Sequence, residues 1–273
     1  MLSIVGRTQR LCTGRVEILV LVLVGVLVGL TTVLFGFGGG FVTVPIVTVV
    51  DASLGGDAVR VATATSALVM LVNASVATAS TRRTVLAPLH GREWLLVLLV
   101  VGGAVGATAG RWAPDPLLRW GFVVYVGITA VDLLARPGFL RLSSGAATAG
   151  LRTWSGLPVG AVAAFLGVGG SVMTVPMMRR AGASMEVATA LANPLTLAIV
   201  APAVVVTLLL PGHVAAASGL VGAVDVRTAS AVLAGAMPVI IALRRRPPRI
   251  PERLHATGYV ALLVAAGAVV ALG

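Results

Sequence analysis

The chain has 273 residues, 58% of them apolar and only 11% charged, and its mean hydropathy is +1.05. Soluble domains carry about a quarter of their residues as charged side chains, so a water-soluble core is excluded. The net charge of +11 comes wholly from arginine, because lysine is absent; these arginines sit between apolar blocks, as membrane loops do, and not on the basic face of a soluble nucleic-acid-binding fold.

Arg7, Arg10 and Arg15 precede an apolar run from Ile18 to Phe35. That run is too long for a signal-peptide core and lacks a small-residue cleavage pattern, so it reads as an uncleaved first helix. Further apolar blocks follow from Phe41 to Val50, Val61 to Ala79, Trp94 to Ala109 and Leu117 to Ala135. The series continues from Trp154 to Leu166, Val172 to Met178, Val187 to Leu210, Ala229 to Leu243 and Ala256 to Leu272. At a rise of about 1.5 Å per residue, the longer blocks span a bilayer. The blocks at Phe41 and Val172 reach about half way, and each follows a glycine cluster.

Those two short blocks belong to an internal repeat. Residues 36–47 read GFGGGFVTVPIV and residues 167–178 read GVGGSVMTVPMM, with six of twelve positions identical. The next helix in each case opens with the same four residues, Val61-Ala62-Thr63-Ala64 and Val187-Ala188-Thr189-Ala190. The expected fold is therefore an all-α integral membrane protein with about seven or eight transmembrane helices. Its two related halves, 1–140 and 141–273, form one membrane domain, and each contains a glycine-broken half-helix.

Positive loops favour the cytoplasm, so arginine placement tests the topology. Eight simple spans leave ten arginines on each side. If only the segment from Trp154 to Met178 dips in and returns, sixteen lie inside and four outside; the amino terminus is then cytoplasmic and the carboxyl terminus external. If both glycine segments are re-entrant and the amino terminus is external, the split is thirteen to seven. The sixteen-to-four arrangement is the expectation.

Non-helical backbone at membrane depth is costly unless it lines a polar cavity or is buried in protein. A substrate path supplies the reason for two such breaks. Glycine lets main chain approach a solute closely, and a helix that restarts after the break offers unpaired N–H groups and a positive dipole end, which suit an anion. The expected substrate-binding groups are the N–H donors of Gly38, Gly39, Gly40, Gly169, Gly170 and Ser171, with the hydroxyls of Thr43 and Thr174. Pro45 and Pro176 are expected early in the restarted helices, where a missing N–H costs least. Thr63 and Asn193, with Thr65, Ser66, Asn73 and Thr189, either line the adjoining cavity or bond between helices.

The paired GFGGG…TVP and GVGGS…TVP segments, each followed by a VATA-opened helix, resemble the TauE/SafE family of sulfite and organosulfonate exporters. The resemblance covers essentially the whole chain. It implies a secondary transporter that exports a small anion such as sulfite or sulfoacetate, a multi-pass location in a bacterial plasma membrane, and no enzymatic activity. Ser171 departs from the triple glycine of the first copy, adding a hydroxyl or standing as a tolerated small residue.

Other residues read more plainly. Gly25 with Gly29, Gly102 with Gly106 and Gly156 with Gly160 suit close helix packing. The run Gly36 to Phe41 is not a dinucleotide loop, because Phe41 occupies the third glycine position and no strand precedes it. Asp132, the acidic residue well inside an apolar block, is expected at the interface. A single cysteine, Cys12, and three scattered histidines, His90, His213 and His255, offer no metal site, and no cofactor is expected. Expected partners are the small anion and the lipid bilayer, with no nucleic acid; a homo-oligomer stays open. The alternatives are a membrane enzyme acting on lipid-like substrates, which would need clustered carboxylates or a nucleophile, and a non-transporting scaffold.

Overall fold

The computed structural model describes residues 2–40, 42–44, 46, 58–136, 139–140, 152–209, 220–221 and 223–272. Phe41, Pro45, the stretch 47–57, His213 and the junction 141–151 between the expected halves lie outside the described residues. Among the described residues ten α-helices run in order: α1 Leu2–Phe35, α2 Ala58–Ala79, α3 Arg83–Leu86, α4 Glu93–Trp112, α5 Asp115–Ala135, α6 Gly156–Phe165, α7 Ser171–Arg180, α8 Met185–Leu209, α9 Val226–Arg245 and α10 Glu252–Leu272. Residues 40, 42–44 and 46 are also helical. A two-stranded hairpin, β1 Leu220–Val221 with β2 Val224–Asp225, precedes α9.

Among the described residues seven helices are long and apolar enough to cross a membrane, namely α1, α2, α4, α5, α8, α9 and α10. Their outer faces are apolar: on α5, Leu117, Val124, Ile128, Val131 and Leu134 are all more than half exposed. Such a surface is tolerated in lipid and not in water. All four tryptophans are exposed, Trp94 and Trp154 at one end of the bundle, Trp112 and Trp120 at the other. Trp94 and Trp112 stand on one helix about 27 Å apart at 1.5 Å per residue, the spacing of two interfacial belts across a hydrocarbon layer. The chain is an all-α integral membrane protein.

Small residues bring the helices together. A Cβ on Gly102 would fall 2.3 Å from the Leu157 carbonyl oxygen, and one on Gly106 would fall 2.0 Å from that of Ala161. Gly156 and Gly160 meet Leu95 and Leu99 in the same way, so α4 and α6 lie side by side, parallel, with backbones in contact. Gly25 and Gly29 of α1 do the same with Val232 and Ala236 of α9, and Gly235 returns the contact on Val22. The close-packing role expected of all three glycine pairs is what these contacts produce.

The same contacts fix helix direction. Because α1 runs parallel to α9, its start lies at the end of the bundle where α9 begins, and Glu17 reaches Arg227 there at 3.8 Å. The last turn of α1 reaches the start of α10, where His255 is bonded to the Leu34 carbonyl. By contrast α6 begins beside the start of α4, and α7 ends beside the end of α5, where Arg180 pairs with Asp132. The segment formed by α6 and α7 therefore enters and leaves at one end of the bundle, whereas α1 enters from the other. This corrects the expected sixteen-to-four arrangement. The start of α1 lies at the same end as Arg111, Arg119 and Arg227, opposite Arg179, as in the thirteen-to-seven alternative.

Local chemistry sets the helix ends. Asp225 caps α9 by accepting from the N–H groups of Arg227 (2.9 Å) and Thr228 (3.1 Å), as an N-cap carboxylate does. Asp132, near the end of α5, pairs with Arg136 at 2.9 Å as well as with Arg180, which fits its expected interfacial position.

Candidate functional site

α1 stops at Phe35 because the chain turns through glycines that only a residue without a Cβ accommodates readily: Gly36, Gly38 and Gly39 have φ of 74°, 63° and 99°. α6 stops in the same manner, with Gly167 at 68° and Gly169 at 70°. Gly39 and Gly170 then act as helix caps. The Gly39 carbonyl accepts from Val42 and Thr43, and the Gly170 carbonyl accepts from Met173 and Thr174. Among the described residues no backbone acceptor meets the N–H groups of Gly39, Gly40, Gly170 or Ser171. Two restarted helices thus present free donors and positive dipole ends inside the bundle.

The breaks lie together. A Cβ on Gly38 would sit 3.2 Å from Thr196 Cγ2, and one on Gly169 would sit 3.0 Å from the same methyl group. Met70 touches both glycines from α2. Each break also leans on the partner half's VATA threonine: Gly36 meets Thr189, and Gly167 meets Thr63. Met70 and Thr196 each stand nine residues beyond the first valine of their VATA sequence, Val61 and Val187. They occupy matching places, and that register was the signal by which the sequence could have singled them out.

A cavity of about 370 Å³ reaches this junction from the end bearing Arg111 and Trp112. Its walls include Ala67, Ala107, Ala163, Val200 and Thr207, and its inner surface includes Met70, Gly167 and Gly169. Of the residues expected to bind substrate, Thr63 and Gly169 line it. Gly38, Gly39, Gly40, Thr43, Gly170, Ser171, Thr174 and Asn193 are buried and do not. Met70 is the reason on the first break, since its sulfur would lie 2.1 Å from a Cβ on Gly40.

The buried polar groups divide in two. Thr43 Oγ1 donates to the Gly39 carbonyl at 2.8 Å, so the first-copy hydroxyl closes its own helix turn. Asn73 donates to the Gly38 carbonyl at 3.4 Å, Asn193 donates within α8 to the Thr189 carbonyl at 3.0 Å, and Thr65 accepts from Asp225 N–H at 2.9 Å. In contrast, among the described residues Ser66 Oγ, Ser171 Oγ, Thr174 Oγ1 and Thr196 Oγ1 have no partner, nor do the amide oxygens of Asn73 and Asn193. Native interiors leave few such atoms, and most of those named here lie on α2, α7 and α8. Pro176 departs from expectation: α7 begins at Ser171, so the proline is its sixth residue and removes a hydrogen bond to the Val172 carbonyl.

The opposite end is closed. Phe37 and Tyr259 stack with ring centroids 4.9 Å apart, Phe139 lies 5.4 Å from Tyr259, and Phe35 lies 6.0 Å from Phe37. Tyr259 donates its hydroxyl to the Ser171 carbonyl at 3.1 Å, which anchors the start of α7. Beyond the rings Arg179 is fully buried and paired with Glu252 at 2.9 Å.

Among the described residues, seven helices apolar and long enough to cross a membrane pack about two glycine breaks and a cavity, which makes this a polytopic membrane protein. Residues 21–270 match the sulfite exporter TauE/SafE family, and the chain belongs to that family. The resemblance carried by the two glycine motifs is thereby shown over nearly the whole chain, and the family is one of membrane sulfite exporters. No curated protein and no solved structure matches the chain.

Proposed function

We propose that this protein is a secondary carrier that exports a small oxyanion, sulfite or an organosulfonate, by alternating access. The observation that carries the reading is the junction at Thr196, where Gly38 and Gly169 approach one methyl group. Around it lie N–H groups of Gly39, Gly40, Gly170 and Ser171 that meet no backbone acceptor among the described residues, and hydroxyls of Ser171, Thr174 and Thr196 that have no partner there. Amide and hydroxyl donors at two helix starts suit negative charge with oxygen acceptors.

The halves 1–140 and 141–273 act as inverted repeats in this proposal. The opposed entry of the two broken segments supports it, as does an exchange of neighbours, since α1 packs on α9 while α6 packs on α4. The arginine-rich end, with Arg179 and the run Arg244 to Arg246, is assigned to the cytoplasm of a bacterial plasma membrane. The cavity then opens outward. An inside-negative potential assists efflux of each negative charge by about 2.3 kcal/mol per 100 mV, so export needs no coupled cation.

The test is efflux of radiolabelled sulfite from proteoliposomes at an imposed potential. Wild type is expected to release sulfite faster as the interior is made more negative, and a Gly39→Leu, Gly170→Leu double variant that still purifies as a folded protein is expected to fall to the protein-free rate. Equal rates for the two would remove the site.

A further inference from the structure

We propose that Arg179 is a substrate-binding residue on the arginine-rich side, held shut by Glu252, and that the transported oxyanion opens this end by replacing the glutamate. The proposal rests on the export reading above.

Four contacts carry it. Arg179 has no exposed side-chain surface, yet arginine stays charged, so it must keep an anionic partner wherever it is buried. Its Nε donates to the Phe139 carbonyl at 3.0 Å and its Nη1 donates to the Ala183 carbonyl at 3.2 Å. Nη1 also pairs with Glu252 Oε2 at 2.9 Å, and that same oxygen accepts from Met185 N–H at 3.3 Å. Nη2 has no acceptor among the described residues. The pair is thus one-pronged: a single carboxylate oxygen is shared between Arg179 and the start of α8, while one guanidinium edge is left with an unused donor. The Glu252 side chain is 35% exposed, so it can leave for water, whereas Arg179 cannot.

An oxyanion with two or more equivalent oxygens satisfies both Nη1 and Nη2 at once, which one shared carboxylate oxygen does not. Exchange costs little charge separation, because one anion replaces another at the same buried cation. It also unties α7, α8 and α10, which Glu252 joins here through Arg179 and Met185. α7 runs from Ser171, beside the junction of the breaks, to Arg180, so a change at Arg179 is carried along one helix to the proposed central site. Arg180 stays with Asp132 and supplies a fixed anchor.

The experiment measures sulfite binding by purified protein and sulfite efflux from proteoliposomes for wild type, Glu252→Gln and Arg179→Lys. Removing the competing carboxylate is expected to lower the sulfite Kd about fivefold or more, since a two-pronged charge-assisted contact then forms without displacement. Arg179→Lys keeps the charge and the pair but loses the fork; it is expected to raise the Kd about tenfold and to reduce the preference for sulfite over chloride. Should Glu252→Gln not fold, Glu252→Asp, one methylene shorter, is expected to lower the Kd in the same direction. If wild type moves sulfite and the Glu252 variants bind it unchanged, the exchange is overturned while export stands. An unaltered sulfite-over-chloride preference in Arg179→Lys overturns it too. If wild type neither binds nor moves sulfite, both readings fall.

Discussion

The two glycine breaks share a sequence and not an environment. At the second, Gly167 and Gly169 border the cavity, and the hydroxyls of Ser171 and Thr174 beside them are unpartnered. At the first, Met70 covers Gly40, and Thr43 turns its proton onto the Gly39 carbonyl. On the proposed inverted-repeat reading, two related segments in unlike surroundings are what a single conformation would contain, with the cavity open at one end of the bundle only. Equivalence in sequence does not give equivalence of surroundings in one conformation.

Changes at the breaks themselves have the largest expected effect. Gly169→Leu puts a branched side chain at φ 70° and against Thr196, which combines backbone strain of about 1–3 kcal/mol with obstruction of the cavity. Sulfite efflux is expected to drop more than a hundredfold. Gly40→Ala on the other break meets the movable end of Met70, and efflux is expected to stay within about fivefold of wild type, because such a side chain has other rotamers to adopt. Similar losses from both would break the comparison.

Accessibility is the next test. In a Cys12→Ser background, cysteine at Thr207 is expected to react with a membrane-impermeant maleimide at least tenfold faster than cysteine at Thr43. Both are threonines near a helix face, but only Thr207 lines the cavity. Saturating sulfite should slow the Thr207 reaction. Equal labelling would mean that the breaks are not differently exposed.

The smallest effects separate ligand contacts from structural ones. Thr196→Val removes a hydroxyl that has no protein partner, so thermal stability is expected to hold while sulfite efflux falls about tenfold, the size of one lost donor. Thr43→Val loses the bond to Gly39, and is expected to cost about 1 kcal/mol of stability with a smaller change in efflux. Denaturation in detergent and the efflux assay read the two quantities. A reversed pattern would assign the ligand contact to the first break.

Much of this was legible in the sequence because membrane helices and glycine breaks are local signals. The spans follow from apolar block length, and the packing of Gly102 and Gly106 on α6 follows from small-residue spacing. The Gly36–Gly40 and Gly167–Gly170 interruptions were visible as a repeat. Helix direction was not, because Arg7, Arg10 and Arg15 weigh heavily in a charge count and nothing local records that α1 lies along α9. The state of each candidate donor was also hidden. Whether Thr43 or Thr174 keeps a free hydroxyl depends on a rotamer, and whether Gly40 is covered depends on Met70, thirty residues away in sequence. Arg179 and Glu252 are separated by the whole of α8 and α9, so no spacing rule could join them.

The most direct measurement of the central claim is a structure determined with selenite, a heavier relative of sulfite, located by its anomalous signal. The account predicts one dominant peak between the breaks, within hydrogen-bonding reach of Ser171 and Thr196. A peak confined to surface arginines at saturating selenite, with the junction at Thr196 empty, would contradict it.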